Sequence, residues 1–277
     1  MSLFVTTDTA GTASHTQQVV AIPTASGTLT WTERAAYLLR RAVDVVFGSL
    51  ALVLFAPVML LIAILIKLDS PGPALFRQIR VGRNRRQLRC PEASEPEQRG
   101  SDVGGRPFRF YKFRTMYADA RTRFPELYTY DYQPEDLEAL PMKVLMGRKG
   151  NPERFDRGRP MDDYLEDPRV TRVGRWLRKS SLDELPNFWN VVRGDMHLVG
   201  PRPDIPENIR YYRHANLRKL SVPPGVTGLA QIRGRGLLSF QDTNAFDLEY
   251  VDNRSLWLDV RILFRTALAI VKRDGAF

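Results

Sequence analysis

The chain has 277 residues, with 41 lysines and arginines against 31 aspartates and glutamates, so its formal net charge at pH 7 is +10. This charge indicates an anionic partner such as lipid head groups, nucleotides or nucleic acid. Cys90 is the only cysteine and there are three histidines, which excludes an intrachain disulfide, a cysteine-based metal site and a histidine-rich metal site. The sequence also lacks the P-loop and serine-hydrolase motifs.

The first 30 residues contain no lysine or arginine and are rich in threonine, serine, alanine and glycine. This composition predicts a disordered tail over residues 1–30 rather than a signal peptide, which would need a basic start and an apolar core. Folded structure is expected to begin near Thr30, which forms a capping-box pattern with Glu33.

The segment from Val45 to Ile66 has 22 residues without a charge. As a helix it would be about 33 Å long, enough to cross a hydrocarbon core of about 30 Å. A buried core helix is the alternative. Pro57 removes a backbone hydrogen bond and bends such a helix. Basic residues flank both ends and favour the cytoplasmic side. A bent helix that enters the membrane and returns therefore competes with a simple span.

The soluble part, residues 70–277, is basic and contains many prolines and glycines. Short strands are predicted at 74–76 and 108–113, the latter from alternating apolar residues. Helices are predicted at 172–179 and 182–192. Loops are predicted at residues 90–106, 200–207 and 221–236.

The last predicted helix, 255–273, carries an apolar stripe at helical spacing, with basic residues largely elsewhere around the helix. The stripe consists of Trp257, Val260, Phe264, Ala267, Leu268 and Val271. Such a stripe either packs into a core or lies in a membrane interface, and the sequence leaves both interpretations open.

Two adjacent carboxylates, Asp183 and Glu184, follow two cations and precede Pro186. Ser181 and Glu184 match a capping box, which would make this pair a helix start. An acidic pair among basic residues also suits a divalent metal with a phosphate, and a helix start suits phosphate binding. The two interpretations are compatible.

A series of short motifs, in order from about residue 40 to the C-terminus, resembles the bacterial sugar transferases, also called monotopic phosphoglycosyl transferases or polyprenyl-phosphate sugar-1-phosphate transferases. The motifs are Arg40-Arg41-x-x-Asp44, the apolar helix with Pro57, Ser70-Pro71-Gly72-Pro73, Gln78-x-Arg80-Val81-Gly82, Lys112-Phe113-Arg114-Thr115-Met116, Asp167-Pro168-Arg169-Val170-Thr171-Arg172-Val173-Gly174, Ser181-Leu182-Asp183-Glu184-Leu185-Pro186, Arg193-Gly194-Asp195-Met196, Val199-Gly200-Pro201-Arg202-Pro203, Pro224-Gly225-Val226-Thr227-Gly228 and Asp247-x-x-Tyr250-Val251.

The resemblance implies an α+β, mostly helical, membrane-associated monotopic fold. Its elements are a re-entrant membrane helix over residues 31–69, broken at Ala56 and Pro57, a small β-hairpin and amphipathic interfacial helices. It implies a location at the bacterial cytoplasmic membrane, with the catalytic domain over residues 70–277 on the cytoplasmic side. The implied reaction transfers a sugar 1-phosphate from a UDP-sugar to a polyprenyl phosphate, releases UMP and starts exopolysaccharide, capsule or O-antigen synthesis.

The resemblance also assigns roles to individual residues. Asp183 is the implied nucleophile, Glu184 is associated with Mg²⁺, and Arg178 and Arg202 contact phosphate. The remaining implied phosphate or nucleotide contacts are Lys112, Arg114, Pro201, Thr227 and Gly228. The implied partners are UDP-sugar, polyprenyl phosphate and membrane lipids, with no nucleic acid; a homo-oligomer is left open.

Elementary chemistry is consistent with these roles. Donor and acceptor both carry phosphate, and a covalent aspartyl-phosphosugar divides one hard step into two. Arginine suits bidentate phosphate binding. Purely structural roles remain possible for several of these residues. Lys112 and Arg114 could be cations at the end of a strand, Thr227 and Gly228 could form a turn that needs glycine, and Asp247 could start a helix.

The chain departs from the family pattern at His197, where serine is commoner, at Pro223, where arginine is usual, and at Ala230, where an aromatic is common. Residues 90–106 look inserted and the spacer over 117–165 is long. These departures bear on sugar identity and nucleotide contacts. The rival functions are a non-enzymatic basic scaffold on the membrane surface and nucleic-acid binding, which a charge of +10 alone would permit.

Overall fold

The computed structural model describes residues 31–83, 105–128, 132, 134–141, 167–212, 214–234 and 237–272. The predicted tail over 1–30, with Thr30 of the first capping box, lies outside the described residues, as does most of the predicted loop at 90–106.

The described part is mostly helical, which confirms that aspect of the predicted α+β class. The helices are α1 (Trp31–Leu54), α2 (Ala56–Asp69), α3 (Ala120–Arg123), α4 (Pro134–Ala139), α5 (Arg172–Ser180), α6 (Asn187–Arg193), α7 (Leu229–Gly234), α8 (Phe240–Asp252) and α9 (Leu256–Lys272). The strands are β1 (Leu75–Val81), β2 (Pro107–Phe113), β3 (His197–Val199) and β4 (Gly225–Thr227). Short 3-10 helices occupy Pro125–Tyr128, Leu182–Glu184, Pro206–Tyr211 and His214–Ser221.

The long apolar segment forms a bent helix pair. Helices α1 and α2 meet at Phe55 with a bend of 58°, and Pro57 lies in the first turn of α2, where its missing N–H costs no helical hydrogen bond. Within the described residues no single helix is long and apolar enough to cross a membrane, whereas this bent pair passes by length and composition together. Apolar side chains along it are exposed, Leu68 by 80%, so the alternative of a buried core helix is wrong.

Two small sheets lie in the part of the chain that follows α2. Strands β1 and β2 pair antiparallel, with Leu75 opposite Phe113 and Val81 opposite Pro107, which confirms the small two-stranded sheet. The prediction ended the first strand at residue 76, too early, because basic residues on its exposed positions interrupt the apolar pattern. Strands β3 and β4 pair in parallel, and β4 and α7 lie where the sequence predicted only a loop.

The main core lies where α6, α8 and α9 meet the strands, and Val191, Met196 and Ile262 are its most buried members. A second apolar cluster joins Ile62 and Ile66 of α2 to Phe113, Leu177 and Leu185. The bent helix pair is therefore anchored in the fold at its C-terminal end.

The middle of α1 is tied to the main core by polar contacts. Nε of Arg40 donates to Asp259 over 2.7 Å, and Arg41 donates to the carbonyls of Val191 and Val192 at the end of α6. One turn on, Asp44 is buried and accepts a 2.9 Å hydrogen bond from the backbone N–H of Leu198. The helix pair is thus fixed to the rest of the fold at residues 40–44 of α1 and at the end of α2, while its bend is left exposed.

The last helix, α9, confirms the predicted element at 255–273 but turns its predicted apolar stripe outward. Trp257, Val260 and Phe264 are 74, 53 and 65% exposed, whereas Ile262 on the other face is fully buried. Core packing is therefore the wrong interpretation of the stripe, because the residues of α9 that reach the core lie between the residues of the stripe.

Candidate active site

The carboxylate pair lies in a tight 3-10 turn between two helices. Ser181 has a left-handed backbone (φ 56°) and ends α5, donating its N–H to the Arg178 carbonyl. Its side chain makes no capping hydrogen bond, so the predicted capping box with Glu184 is wrong. The predicted helix over 182–192 is wrong in its first part as well, because α6 starts only after Pro186.

Asp183 is the buried member of the pair, with 8% of its surface exposed. Burial raises the pKa of its carboxyl to about 6, with Glu184 acting in the same direction, while Lys112, Arg178 and Arg202 oppose the rise. The carboxyl therefore remains mostly ionised at pH 7 in a partly desolvated setting. A carboxylate with little competing water is a suitable nucleophile.

Lys112, on β2, contributes a cation to the surroundings of Asp183. Burial lowers the pKa of its ammonium to about 8, with Asp183 as the largest opposing influence. Its Nζ lies 5.5 Å from the centre of the Phe76 ring, which supports the charge from one side. Lys112 is thus mostly protonated at neutral pH, and a rise of about one pH unit would remove much of its charge.

Arg178 is held in place by two neighbours on other segments. Its Nε donates to Oγ1 of Thr115 over 3.1 Å, and its Nη1 lies 3.9 Å from Oδ2 of Asp167. Burial lowers the pKa of its guanidinium, although Asp167 and Asp183 oppose that shift. One hydrogen bond and one ion pair therefore hold Arg178 in place, and the electrostatic influence of its guanidinium reaches Asp183.

Arg202 and Glu184 form the more open side of the site. Nη2 of Arg202 donates to Oε1 of Glu184 over 2.7 Å, and Glu184 is the main cause of the raised pKa of Arg202. The two side chains are 40 and 22% exposed, so a ligand arriving from solvent can reach both.

The loop that carries Arg202 is held by backbone hydrogen bonds to β4. The Pro201 carbonyl accepts from the Gly225 N–H, and the Gly200 N–H donates to the Thr227 carbonyl, each over 2.9 Å. A Cβ on Gly228 would lie 2.3 Å from the Gly200 carbonyl oxygen, so this position requires glycine for close backbone approach.

Two other predicted contact residues have partners within the protein. The Thr227 hydroxyl is 2.7 Å from the Thr266 hydroxyl on α9. The buried guanidinium of Arg114 donates to the carbonyls of Ser70 and Pro71, where it closes the turn after α2. The structure thus brings Lys112, Arg178 and Arg202 around the carboxylate pair, and places Arg114 at the base of the hairpin.

The sequence reasoning missed a buried charge cluster behind the Arg202 loop. Lys219 donates to Asp204 over 2.9 Å and to Asp247 over 3.1 Å, and the Tyr212 hydroxyl also donates to Asp204. Of these residues, the motifs in the sequence indicate only Asp247. Nothing local in the sequence distinguishes Lys219 from the other lysines of a basic chain.

The site opens into a large cleft of about 2430 Å³. Lys112, Arg178, Asp183, Glu184, Arg202 and Thr227 all line it. The same cleft is lined by Phe55 at the bend of the helix pair and by Ala63 on α2. One continuous depression therefore connects the charged cluster with the apolar helices.

Comparison with known proteins identifies the family. The bacterial sugar transferase family model matches residues 35–92 and 96–273. The chain belongs to the bacterial sugar transferase family. This bacterial sugar transferase is 37% identical to the UDP-glucose:undecaprenyl-phosphate glucose-1-phosphate transferase of Caulobacter vibrioides, over 86% of the chain and 72% of that relative. It is 34% identical to the exopolysaccharide production protein ExoY of Rhizobium meliloti, over 86% of the chain and 88% of the relative.

Other relatives of this bacterial sugar transferase are much longer. The undecaprenyl-phosphate galactose phosphotransferase of Salmonella typhimurium is 34% identical over 88% of the chain, but the match spans only 43% of that relative. The matched part is thus less than half of some relatives and most of others. Because the Caulobacter and Salmonella relatives are named as sugar-phosphate transferases, the transferase is an enzyme and the non-enzymatic scaffold interpretation is wrong.

The departures from the family pattern fall in different parts of the transferase. Ala230 lines the large cleft. His197 is buried, with Nδ1 2.9 Å from Oδ2 of Asp44, and it lines a separate cavity of about 190 Å³ together with Pro223. Of the three, Ala230 is therefore the position that bears directly on what the cleft accepts.

Proposed function

We propose that this bacterial sugar transferase moves a sugar 1-phosphate from a UDP-sugar to a polyprenyl phosphate at the cytoplasmic face of the membrane, releases UMP and thereby starts surface glycan synthesis. The observation that carries the proposal is the buried Asp183 carboxylate, set among Lys112, Arg178 and Arg202 in a cleft that continues to the bent apolar helices. The names of the relatives supply the substrate class.

The proposed first step uses Asp183 as the nucleophile. Its carboxylate oxygen attacks the sugar-bearing phosphorus of the UDP-sugar, and the bond from that phosphorus to the bridging oxygen breaks, so UMP leaves with the electron pair. In the second step a phosphate oxygen of the polyprenyl phosphate attacks the same phosphorus and regenerates the carboxylate. Two displacements replace a direct reaction between two anionic substrates.

The surrounding cations suit this chemistry. With a pKa of about 6, Asp183 is ionised at neutral pH, and with a pKa of about 8 Lys112 is still protonated. Lys112 and the two arginines neutralise the charge of the diphosphate, and the fork of each guanidinium matches phosphate oxygens. Because Thr115 and Glu184 already orient the arginines, little reorganisation accompanies the reaction.

Magnesium is a proposed cofactor, and the acidic groups present fit a particular kind of site. Among the described residues no cluster of three or more histidine, cysteine, aspartate or glutamate side chains could hold a metal. Mg²⁺ is often held by one or two carboxylates together with substrate phosphates, which matches Glu184 next to Asp183. When bound, the ion would supply charge neutralisation at the diphosphate and assist UMP departure.

The proposed membrane placement rests on the exposed apolar surfaces. Helices α1 and α2 would enter the bilayer and return, with basic flanks at both ends remaining on the cytoplasmic side. The outward stripe of α9 would lie in the interface. The cleft running from Phe55 to Asp183 would let a polyprenyl chain stay in lipid while its phosphate reaches the carboxylate.

The deciding experiment measures UMP release from a panel of UDP-sugars, with polyprenyl phosphate and Mg²⁺, for the wild type and for Asp183→Asn. One or more sugars should give acceptor-dependent release in the wild type only. Without acceptor, labelled UMP should exchange into the UDP-sugar, as a covalent intermediate requires. Absence of release with every donor would refute the proposal and return nucleic-acid binding to consideration.

A further inference from the structure

Lys219 is a buried lysine whose hydrogen bonds are all used inside the protein. It lies in the 3-10 helix His214–Ser221 with 3% of its surface exposed. Its Nζ donates to Oδ2 of Asp204 over 2.9 Å, to Oδ1 of Asn244 over 3.0 Å and to Oδ2 of Asp247 over 3.1 Å. An ammonium group has three donors, so each one is paired.

The first of these bonds holds the loop that carries Arg202. Asp204 lies two residues after Arg202, and its side chain also accepts from the Tyr212 hydroxyl and, over 3.2 Å, from the amide of Asn208. Its backbone carbonyl accepts a 2.9 Å hydrogen bond from Val81 on β1. The loop is therefore fixed on its inner side by a set of contacts that converge on Asp204.

The charge balance behind the loop depends on Lys219. Burial acts to raise the pKa of Asp204, but Lys219 and the hydrogen bonds to Asp204 hold it below its usual value. Burial acts to lower the pKa of Lys219, but Asp204 and its other acidic neighbours raise it well above its usual range. Without Lys219, Asp204 would be a largely buried carboxylate close to Arg202 and lacking its main cation.

We propose that Lys219 is a positioning residue: by neutralising Asp204 and Asp247 behind the loop, it leaves the Arg202 guanidinium directed at Glu184 and the donor phosphates. This inference rests on the proposed function. In the absence of Lys219, Asp204 competes with Glu184 for the guanidinium and draws it away from the cleft.

A double-mutant cycle tests this role, using UMP release and melting temperature for Lys219→Met, Arg202→Met and the double variant. A misplaced catalytic contact can cost about 100-fold, so Lys219→Met should lower kcat/KM by about that factor. In the Arg202→Met background the same change should cost less than about threefold, because the group through which Lys219 acts is gone. If the losses in kcat/KM of the two single variants multiply in the double variant, Lys219 has a merely structural role and the proposal is overturned.

A second variant addresses the instability that unpaired buried carboxylates can cause. Combining Lys219→Met with Asp204→Asn removes the competing charge, and activity should return to within about tenfold of wild type. Rescue would support the proposal; a folded double variant as inactive as Arg202→Met would overturn it.

The neighbour Arg218 provides the matched control, since it pairs with Asp252 at the surface and Arg218→Met should leave activity unchanged. An active wild type with multiplying losses would refute the role of Lys219 alone. An inactive wild type would refute the proposed function together with it.

Discussion

Nη2 of Arg202 donates a 2.7 Å hydrogen bond to Oε1 of Glu184, across 18 positions of sequence. This contact joins two motifs that the sequence shows only as separate runs, the Leu-Asp-Glu-Leu turn and the Gly-Pro-Arg-Pro loop. Glu184 is therefore not a free metal ligand in the absence of substrate. A diphosphate entering the cleft would meet an arginine already oriented and a carboxylate that can be shared between the arginine and a cation.

Replacing the proposed nucleophile is the first prediction. Asp183→Asn keeps the volume but removes the attacking oxyanion, and should lower turnover by at least about 10⁴-fold, as expected for loss of a nucleophile. Burial raises the pKa of Asp183 above its usual value, so its ionisation is a stability cost that is complete above about pH 6. The variant should therefore melt at no lower temperature than the wild type at pH 7.

The covalent adduct gives this prediction a second readout. Mass spectrometry of donor-treated wild type should find the added phosphosugar on the peptide that contains Asp183. Asp252→Asn, at the exposed acidic partner of Arg218, is the control and should retain full turnover. Near-normal turnover by Asp183→Asn would contradict the nucleophile assignment.

The pH profile of the reaction is the second prediction. Asp183 must be ionised to attack, so kcat/KM should fall as the pH drops below about 6. Lys112 must be protonated, so kcat/KM should also fall as the pH rises above about 8. Lys112→Arg keeps its charge at high pH and should move only the alkaline limb upward. An unchanged alkaline limb in that variant would show that another group is responsible.

The metal dependence of the reaction is the third prediction. If Glu184 holds Mg²⁺, EDTA should stop UMP release and added Mg²⁺ should restore it. Glu184→Gln should raise the Mg²⁺ concentration for half-maximal rate by at least about tenfold, equivalent to about 1.4 kcal/mol of lost binding. Glu249→Gln, at an exposed position on α8, is the control. Equal Mg²⁺ requirements in the two variants would remove Glu184 from the metal site.

The glycine at 228 allows a fourth prediction, on stability. Gly228→Ala would place a Cβ 2.3 Å from the Gly200 carbonyl oxygen, so the segments that follow β3 and β4 must move apart. Overpacking of this kind costs about 1–3 kcal/mol, and a thermal melt should show it. An unshifted melting temperature accompanied by lost activity would instead indicate direct contact between this loop and the nucleotide.

Local motifs indicate the carboxylate pair together with Arg178 and Arg202, and the structure places these residues around one cleft; their roles stay predictions. The sequence failed where partners come from distant segments. Lys219 pairs with residues 15 and 28 positions away, and such contacts leave no local pattern. Ser181 fits a capping box by spacing, but the requirement to end α5 gives it a left-handed backbone that no residue count reveals. The stripe of α9 was visible, whereas its outward direction depends on the burial of Ile262.

The topology of the helix pair is the last prediction. We expect α1 and α2 to enter the membrane and return, since α2 has 14 residues and rises only about 21 Å, less than a hydrocarbon core of about 30 Å. The 58° bend at Phe55 and the anchoring of α1 through Arg41 and of α2 through Ile66 support this arrangement. It keeps Asp183 where polyprenyl phosphate and a water-borne UDP-sugar can meet.

Cysteine labelling in closed spheroplasts tests this topology. In a Cys90→Ser background, single cysteines replace the exposed residues Arg34, before the apolar segment, and Asp119, after it. An impermeant thiol reagent should label neither position until the membrane is opened, and should then label both, because both lie on the cytoplasmic side. Labelling of position 34 alone in closed spheroplasts would reveal a full span and would refute the re-entrant arrangement.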